Sequence, residues 1–179
     1  MNKTKQLVLS AIFLALTLAL PFITGQIPGV GSMLLPMHIP VLLCGYVCGG
    51  WWGFGVGLVA PLMRHLFFGM PPLTVAISMT FELAAYGFFT AFFYSRLKLK
   101  KPLDVYVSLG LALLLGRVVW GIAQYFVISM MTANSFTLNA FWLGAFAKAW
   151  PGIALQVVLI PLLVLQLEKH KLCMKQPMR

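Results

Sequence analysis

The sequence contains very little charge. Asp, Glu, Lys and Arg together make up 9% of its 179 residues, only three residues are acidic, and 61% of all residues are hydrophobic. Soluble domains are about 25% charged, so this composition excludes a soluble fold. At roughly 20 apolar residues per membrane crossing, the chain has room for about six transmembrane helices in one compact bundle and for almost nothing else.

Several local signatures are also missing. The three cysteines, Cys44, Cys48 and Cys173, have neither the spacing of a disulfide framework nor that of a metal site. We therefore expect them to be packing residues and expect no bound metal. The phosphate-binding pattern G-x-x-x-x-G-K-[ST] does not occur, so we expect no ATP site and no cofactor. H-E-x-x-H and paired aspartates are absent as well, which argues against catalysis.

The apolar runs predict an all-α integral membrane protein in which residues 1–179 form a single six-helix domain. Gly49-Gly50 falls where a short descending helix would turn back, so two of the helices are expected to form a hairpin. The first arm of that hairpin covers only about 20 Å of a roughly 30 Å hydrocarbon core. The helices are predicted over 7–24, 37–50, 51–68, 73–94, 105–131 and 141–167.

The positions of the basic residues predict the topology. The net charge of +10 would suggest a nucleic-acid partner in a soluble protein, but here the charges are grouped beside the apolar runs. All 13 Lys and Arg residues except Arg64, Arg117 and Lys148 lie in the first five residues, the loop 95–104 or the tail after 167. Because basic segments stay in the cytoplasm, we expect both ends to be cytoplasmic, an even number of crossings and no nucleic-acid partner.

The ionisable residues left inside the apolar runs are the main functional candidates. An ionised side chain costs about 2.5–3.5 kcal/mol in a membrane helix, so each one needs a partner, a cavity or the interface. Glu82 could pair with a basic residue and simply hold two helices together, and Arg64 could extend to the lipid headgroups. Arg117 is expected near the middle of the bilayer, where such an extension is least effective, and is the first candidate for binding a ligand.

Neighbouring residues suggest a binding cavity near the outer face. Arg117, Trp120 and Gln124 recur at helical spacing and would present a guanidinium, an indole and an amide along one stripe. Near Lys148, the small residues Gly144 and Ala145 are expected to leave space. Three cations against one acid favour a ligand with a carboxylate or another anionic or electron-rich group. The predicted substrate-binding residues are His38, Arg64, Glu82, Arg117, Trp120, Gln124, Asn139 and Lys148.

The first helix carries a different feature. Ala11, Ala15 and Ala19 recur at intervals of four and form a ridge of small residues, which allows another helix to approach closely in lipid. We expect this ridge to dock on a partner subunit, although packing within the same bundle would also use it.

These features together resemble the substrate-binding subunits, or S components, of energy-coupling factor (ECF) vitamin transporters. The resemblance is carried by the alanine ridge, by the glycine-rich stretch 35–62 (LPMHIPVLLCGYVCGGWWGFGVGLVAPL) and by the segment 69–73 (GMPPL). It implies a prokaryotic, multi-pass plasma-membrane protein whose partners are membrane lipid, a transmembrane coupling subunit and two ATPase subunits. It also implies a vitamin site near the outer face, enclosed by the loop after the first helix and by the last three helices.

The resemblance leaves the substrate open. We find no signature for thiamine, biotin or riboflavin, and pantothenate, pyridoxine, a folate or a queuine-like base all remain candidates. Two other functions are alternatives. An intramembrane enzyme could use Glu82, His38 and His65 to bind metal or exchange protons. A small channel or a structural membrane protein would lack a saturable ligand.

Overall fold

The structure is a computed structural model that describes residues 2–24, 33–97, 99–100, 102–131, 137–147, 149–170 and 173. Every regular element in this part of the chain is helical. Four of its segments, Lys3–Thr24, Leu73–Arg96, Leu103–Met131 and Leu143–Lys169, are long and apolar enough to cross a membrane. The expected all-α membrane bundle is thus confirmed in its general form. The elements are α1 (Lys3–Thr24), α2 (His38–Cys48), α3 (Gly50–Phe68), α4 (Leu73–Arg96), α5 (Leu103–Met131), α6 (Leu138–Trp142), a π-helix (Leu143–Ala147) and α7 (Trp150–Lys169).

Helix α2 lies at the centre of the bundle. It has 11 residues, all of them buried, and it packs against α1, α3, α4 and α7. At 1.5 Å per residue, a helix of this length reaches about 17 Å and by itself does not span a hydrocarbon core of roughly 30 Å. The helix therefore lies inside the protein rather than in contact with lipid.

A single residue, Gly49, connects α2 to α3. Its N–H donates to the carbonyl of Gly45 in α2, and its own carbonyl accepts from the N–H of Gly53 in α3. Its φ of 102° lies in the region that favours glycine because a Cβ would clash with the backbone there. The predicted boundary between the two arms of the hairpin, after residue 50, therefore lies one residue too late, because α3 already begins at Gly50.

Helices α3 and α4 touch along their backbones. A Cβ added at Gly87 would lie 2.3 Å from the main chain of Gly53, and one added at Gly57 would lie 2.4 Å from the main chain of Leu83. Real Cβ atoms do not approach so closely, so these positions are restricted to glycine by space. The contact brings the middle of α4, which carries Glu82, next to α2.

The last predicted helix, 141–167, differs from the structure. Helix α6 begins earlier, at Leu138, the chain continues as a π-helix from Leu143 to Ala147, and α7 starts at Trp150. Pro151 in the first turn of α7 explains the restart, because proline has no N–H to donate to the preceding turn and is favoured at the start of a helix.

Helix α1 packs against α2 and α3 with one face only. Gln6 donates a 2.9 Å hydrogen bond to the carbonyl of Cys48 at the end of α2, and the buried residues of α1 are Ser10 and Thr17. The predicted docking ridge, Ala11, Ala15 and Ala19, lies on the exposed side of this helix. In the described bundle these three residues are not buried against other helices, so the alternative, packing within the same bundle, does not account for the ridge.

Candidate functional site

Polar side chains from three helices converge on Glu82 in the interior of the bundle. The carboxylate lies on α4, and its side chain is 2% exposed. His38, the first residue of α2, is 1% exposed, and Arg117, near the middle of α5, is 5% exposed. The sequence identified these three residues as candidates, and the structure brings them together.

One oxygen of Glu82 receives all of these contacts. Arg117 Nη1 lies 2.9 Å from Oε1, which is a close ion pair. The hydroxyl of Tyr86 donates a 3.0 Å hydrogen bond to the same oxygen. His38 Nε2 lies 3.5 Å away, which is longer than an ordinary hydrogen bond. The ion pair that the sequence suggested for Glu82 is therefore present, with Arg117 as its partner.

Tyr86 is a member of the site that sequence reasoning missed. It is fully buried, its hydroxyl binds Glu82, and its ring lies 5.4 Å from that of His38. The signal that could have revealed it is its position four residues after Glu82, since side chains four residues apart meet on one helix face. Gly116 makes room for the ring, because a Cβ there would lie 2.1 Å from Tyr86. The close approach also brings the next residue, Arg117, to the carboxylate.

Several donors and acceptors around this ion pair are unused. Among the described residues, no hydrogen-bond partner exists for Arg117 Nε and Nη2, for either ring nitrogen of His38, or for either amide atom of Gln156. All three side chains are buried. A buried polar group without a partner costs about 1–3 kcal/mol, and such groups are few in native proteins. Such groups can be satisfied by ordered water or by a polar ligand.

Gln156 is the second residue that the sequence did not reveal. It is completely buried on α7, on the face that packs against α2 and α5. One turn before it, a Cβ added at Gly152 would lie 2.6 Å from the carbonyl oxygen of Met33, so α7 touches the chain just before α2 begins. The buried residues of this face are Gly152, Gln156, Ile160, Pro161 and Val164.

Gln156 lies on the helix face that continues into the apolar cluster shared by α2, α5 and α7. The residue one turn after it belongs to the same packed cluster as Leu42 of α2 and Leu113 of α5. His38 comes one turn before Leu42, and Arg117 comes one turn after Leu113 on the antiparallel helix. By helix periodicity, Gln156, His38 and Arg117 each lie one turn from a residue of this apolar cluster.

The remaining residues of the predicted stripe on α5 lie nearer its end. Trp120 packs against Gly144, where a Cβ would lie 2.6 Å from the indole, and its ring lies 6.3 Å from that of Phe141. The space expected from the small residue Gly144 is thus filled by the indole. Gln124, one turn further along α5, is partly buried.

Asn139 lies at the surface and not beside Glu82. It borders a shallow hollow of about 700 Å³ together with Trp142, Leu143 and Ala147, all of which are exposed. Lys148, the other candidate in this region, lies outside the described residues.

Arg64 lies apart from the cluster, at the contact between α3 and α1. Its Nη1 donates a 2.6 Å hydrogen bond to the carbonyl of Leu18, and its guanidinium carbon lies 4.7 Å from the ring centre of Phe22 and 5.6 Å from that of Phe68. These contacts explain how the bundle accommodates the charge, and they indicate a structural role for Arg64.

The chemistry of the cluster is suited to binding. Within the described part of the chain, no group of three or more His, Cys, Asp and Glu side chains is placed to hold a metal ion. Glu82 neutralises Arg117, and the unused atoms include N–H donors of Arg117 and Gln156, the amide oxygen of Gln156 as an acceptor, and the two ring nitrogens of His38, of which one donates and the other accepts in the neutral ring. Such an arrangement can hold a small polar molecule by hydrogen bonds.

Comparison with known protein families matched most of the chain. The family model described as "ECF transporter, substrate-specific component" matches residues 5–164. No curated protein and no solved structure matches the chain.

Proposed function

The chain belongs to the family of ECF transporter substrate-specific components, as its sequence suggested, and on this premise we propose that it captures a water-soluble vitamin or related micronutrient for import. Members of this family are multi-pass membrane subunits of transporters, not enzymes. The candidate substrates are those left open by the sequence: pantothenate, pyridoxine, a folate or a queuine-like base.

The observation that carries this proposal is the group of unused polar atoms beside the Glu82–Arg117 ion pair. A purely structural ion pair would be expected to have its remaining donors satisfied by the protein. We propose that the substrate satisfies them, contacting His38, Arg117 and Gln156, while Glu82 and Tyr86 hold the guanidinium in place. Nearer the outer face, Trp120, Gln124, Asn139 and Lys148 are proposed to complete the path or the site.

The proposed topology has six crossings with both ends in the cytoplasm of a prokaryotic cell. The second crossing is made by the short helix α2 together with the chain that precedes it, 33–37. It rests on the three basic segments, which the positive-inside rule places on one side of the membrane. Under this topology His38 and the start of α4 lie toward the outer face, and the substrate reaches the ion pair from outside.

Import requires partners that supply energy. We propose that a transmembrane coupling subunit docks on Ala11, Ala15 and Ala19, and that two ATPase subunits drive the transport cycle. The exposure of these three alanines on α1 supports this role, because small residues allow close contact between helices in lipid.

Mass spectrometry of co-purified small molecules tests the proposed function. The chain is purified in mild detergent from cells grown in rich medium, denatured, and the released compounds are identified. We expect one vitamin-like compound in near-stoichiometric amount. A matched control is the double variant Glu82→Leu/Arg117→Met, which removes both charges together and should release none. If the wild-type chain releases no compound that the double variant lacks, the proposal is wrong.

A further inference from the structure

The unused edge of Arg117 indicates the chemical class of the substrate. Glu82 occupies only Nη1 of the guanidinium, while Nε and Nη2 have no partner among the described residues. In the planar guanidinium, the N–H groups of Nε and Nη2 point the same way and form a pair of parallel donors. This donor pair matches the two oxygens of a carboxylate, which is the geometry of the strongest arginine contacts.

We infer that this edge of Arg117 binds a carboxylate of the substrate and that the Gln156 amide binds a second polar group of the same molecule. The inference rests on the proposed function and narrows it to acids. The guanidinium of Arg117 cannot rotate freely, because its ion pair with Glu82 and the burial of both side chains hold it in one orientation. The edge is therefore preorganised for its ligand, which reduces the entropy lost on binding.

Gln156 supports the inference independently of Arg117. It lies on a different helix, it is completely buried, and both its amide nitrogen and its amide oxygen lack partners in the described structure. An apolar residue would be the less costly choice at this position if packing were its only role. Because the amide both donates and accepts, its target is a hydroxyl, an amide or a second oxygen of the acid.

The other unused group is compatible with an acid. The His38 ring lies within 3.5 Å of Glu82 and can donate from either ring nitrogen, depending on its tautomer. The free edge of Arg117 itself offers only donors, at Nε and Nη2. A ligand that offers mainly donors, such as an amine, would leave these N–H groups unpaired.

The first test compares acids with their neutral derivatives. The compound released from the purified wild-type chain is identified, and its binding is measured beside that of its methyl ester. Pantothenate and panthenol, and nicotinate and nicotinamide, serve as further acid and neutral probes. We expect the released compound to carry a carboxylate and the ester to bind at least tenfold more weakly. A released compound without a carboxylate, or an ester that binds equally well, overturns the inference and leaves the proposed function standing.

The failure of the proposed function has a different outcome. In that case no compound is released, and none of the acids or neutral probes binds in a saturable manner. That result overturns both proposals together, so the two failures are distinguishable.

Two variants test the individual residues. Arg117→Lys retains a positive charge for Glu82 but lacks the paired donors, so we expect acid binding to weaken at least tenfold while the ester is unaffected. Gln156→Met replaces the amide by an apolar chain of similar shape. We expect it to weaken acid binding at least fivefold while the melting temperature stays the same or rises. Gln166→Met, at an exposed position on the same helix, is the matched control.

Each result for these variants is informative. Wild-type acid binding in Arg117→Lys would overturn the carboxylate contact. Wild-type binding in Gln156→Met, or a lowered melting temperature in that variant, would show that Gln156 serves the fold and would overturn its assignment to the substrate.

Discussion

Removing one partner of the Glu82–Arg117 pair should destabilise the protein far more than removing both. The two side chains are 2% and 5% exposed, and their charged atoms are 2.9 Å apart. A buried charge left without its partner costs about 3–5 kcal/mol, whereas an apolar replacement of the whole pair is often neutral or stabilising. Glu82→Leu also deprives the Tyr86 hydroxyl of its acceptor, which adds about 1–3 kcal/mol.

These values define a double-mutant cycle. We expect Glu82→Leu to cost at least about 4 kcal/mol and Arg117→Met about 3–5 kcal/mol. The double variant should lose only about 1–3 kcal/mol, because the unsatisfied Tyr86 hydroxyl is its main defect. The coupling free energy between the two positions is then at least about 4 kcal/mol.

The free energy of unfolding can be measured for all four proteins in detergent micelles by titration with a denaturing detergent, with circular dichroism as the signal. Losses of the single variants that simply add in the double variant would refute the reasoning, because they would show that the two charges do not depend on each other.

Three further predictions concern the bundle and its surface. In the same unfolding assay, Gly87→Ala should destabilise the protein by about 1–3 kcal/mol because the new Cβ meets the backbone of α3. Gly55→Ala is the control, because its new Cβ meets nothing within 4 Å, and it should be neutral or stabilising by up to about 1 kcal/mol. Ala15→Leu should abolish uptake into cells without changing substrate affinity, because the larger side chain prevents close contact with a partner helix. The control Val118→Leu, at an exposed position on α5, should leave uptake and affinity unchanged. Uptake by Ala15→Leu at the wild-type rate would contradict docking on the ridge. Arg64→Met should lower the free energy of unfolding by about 1.5–3 kcal/mol, because its hydrogen bond to α1 is lost, and should keep substrate affinity. A large loss of affinity at normal stability would instead show that Arg64 binds the substrate.

The positions of the charged residues were the most informative part of the sequence. Because lipid does not tolerate an isolated charge, Glu82 and Arg117 had to be directed into the bundle. Composition alone likewise predicted an all-α membrane protein. These inferences succeed because they depend on the high cost of placing charge in hydrocarbon, which holds for any helical arrangement.

Other features depended on packing that the sequence does not reveal. Gln156 lies in an apolar run, and nothing nearby marks its face as the buried one. The glycine at 144 was expected to leave a cavity, yet the neighbouring helix fills that space with Trp120. Arg64 was grouped with the binding residues because its charge is unusual, and only the register of α3 against α1 shows that it donates to the carbonyl of Leu18.

The complete burial of α2 has a consequence for how the protein is assembled in the cell. An 11-residue helix with every residue enclosed by its neighbours has no surface to offer to lipid and is too short to be stable as an independent transmembrane segment. It must therefore enter the membrane together with α1, α3 and α4, or wait at the surface until they surround it. Its side chains are also free of the apolar requirement that lipid imposes, which allows His38 and Tyr46 to occupy the centre of a membrane protein.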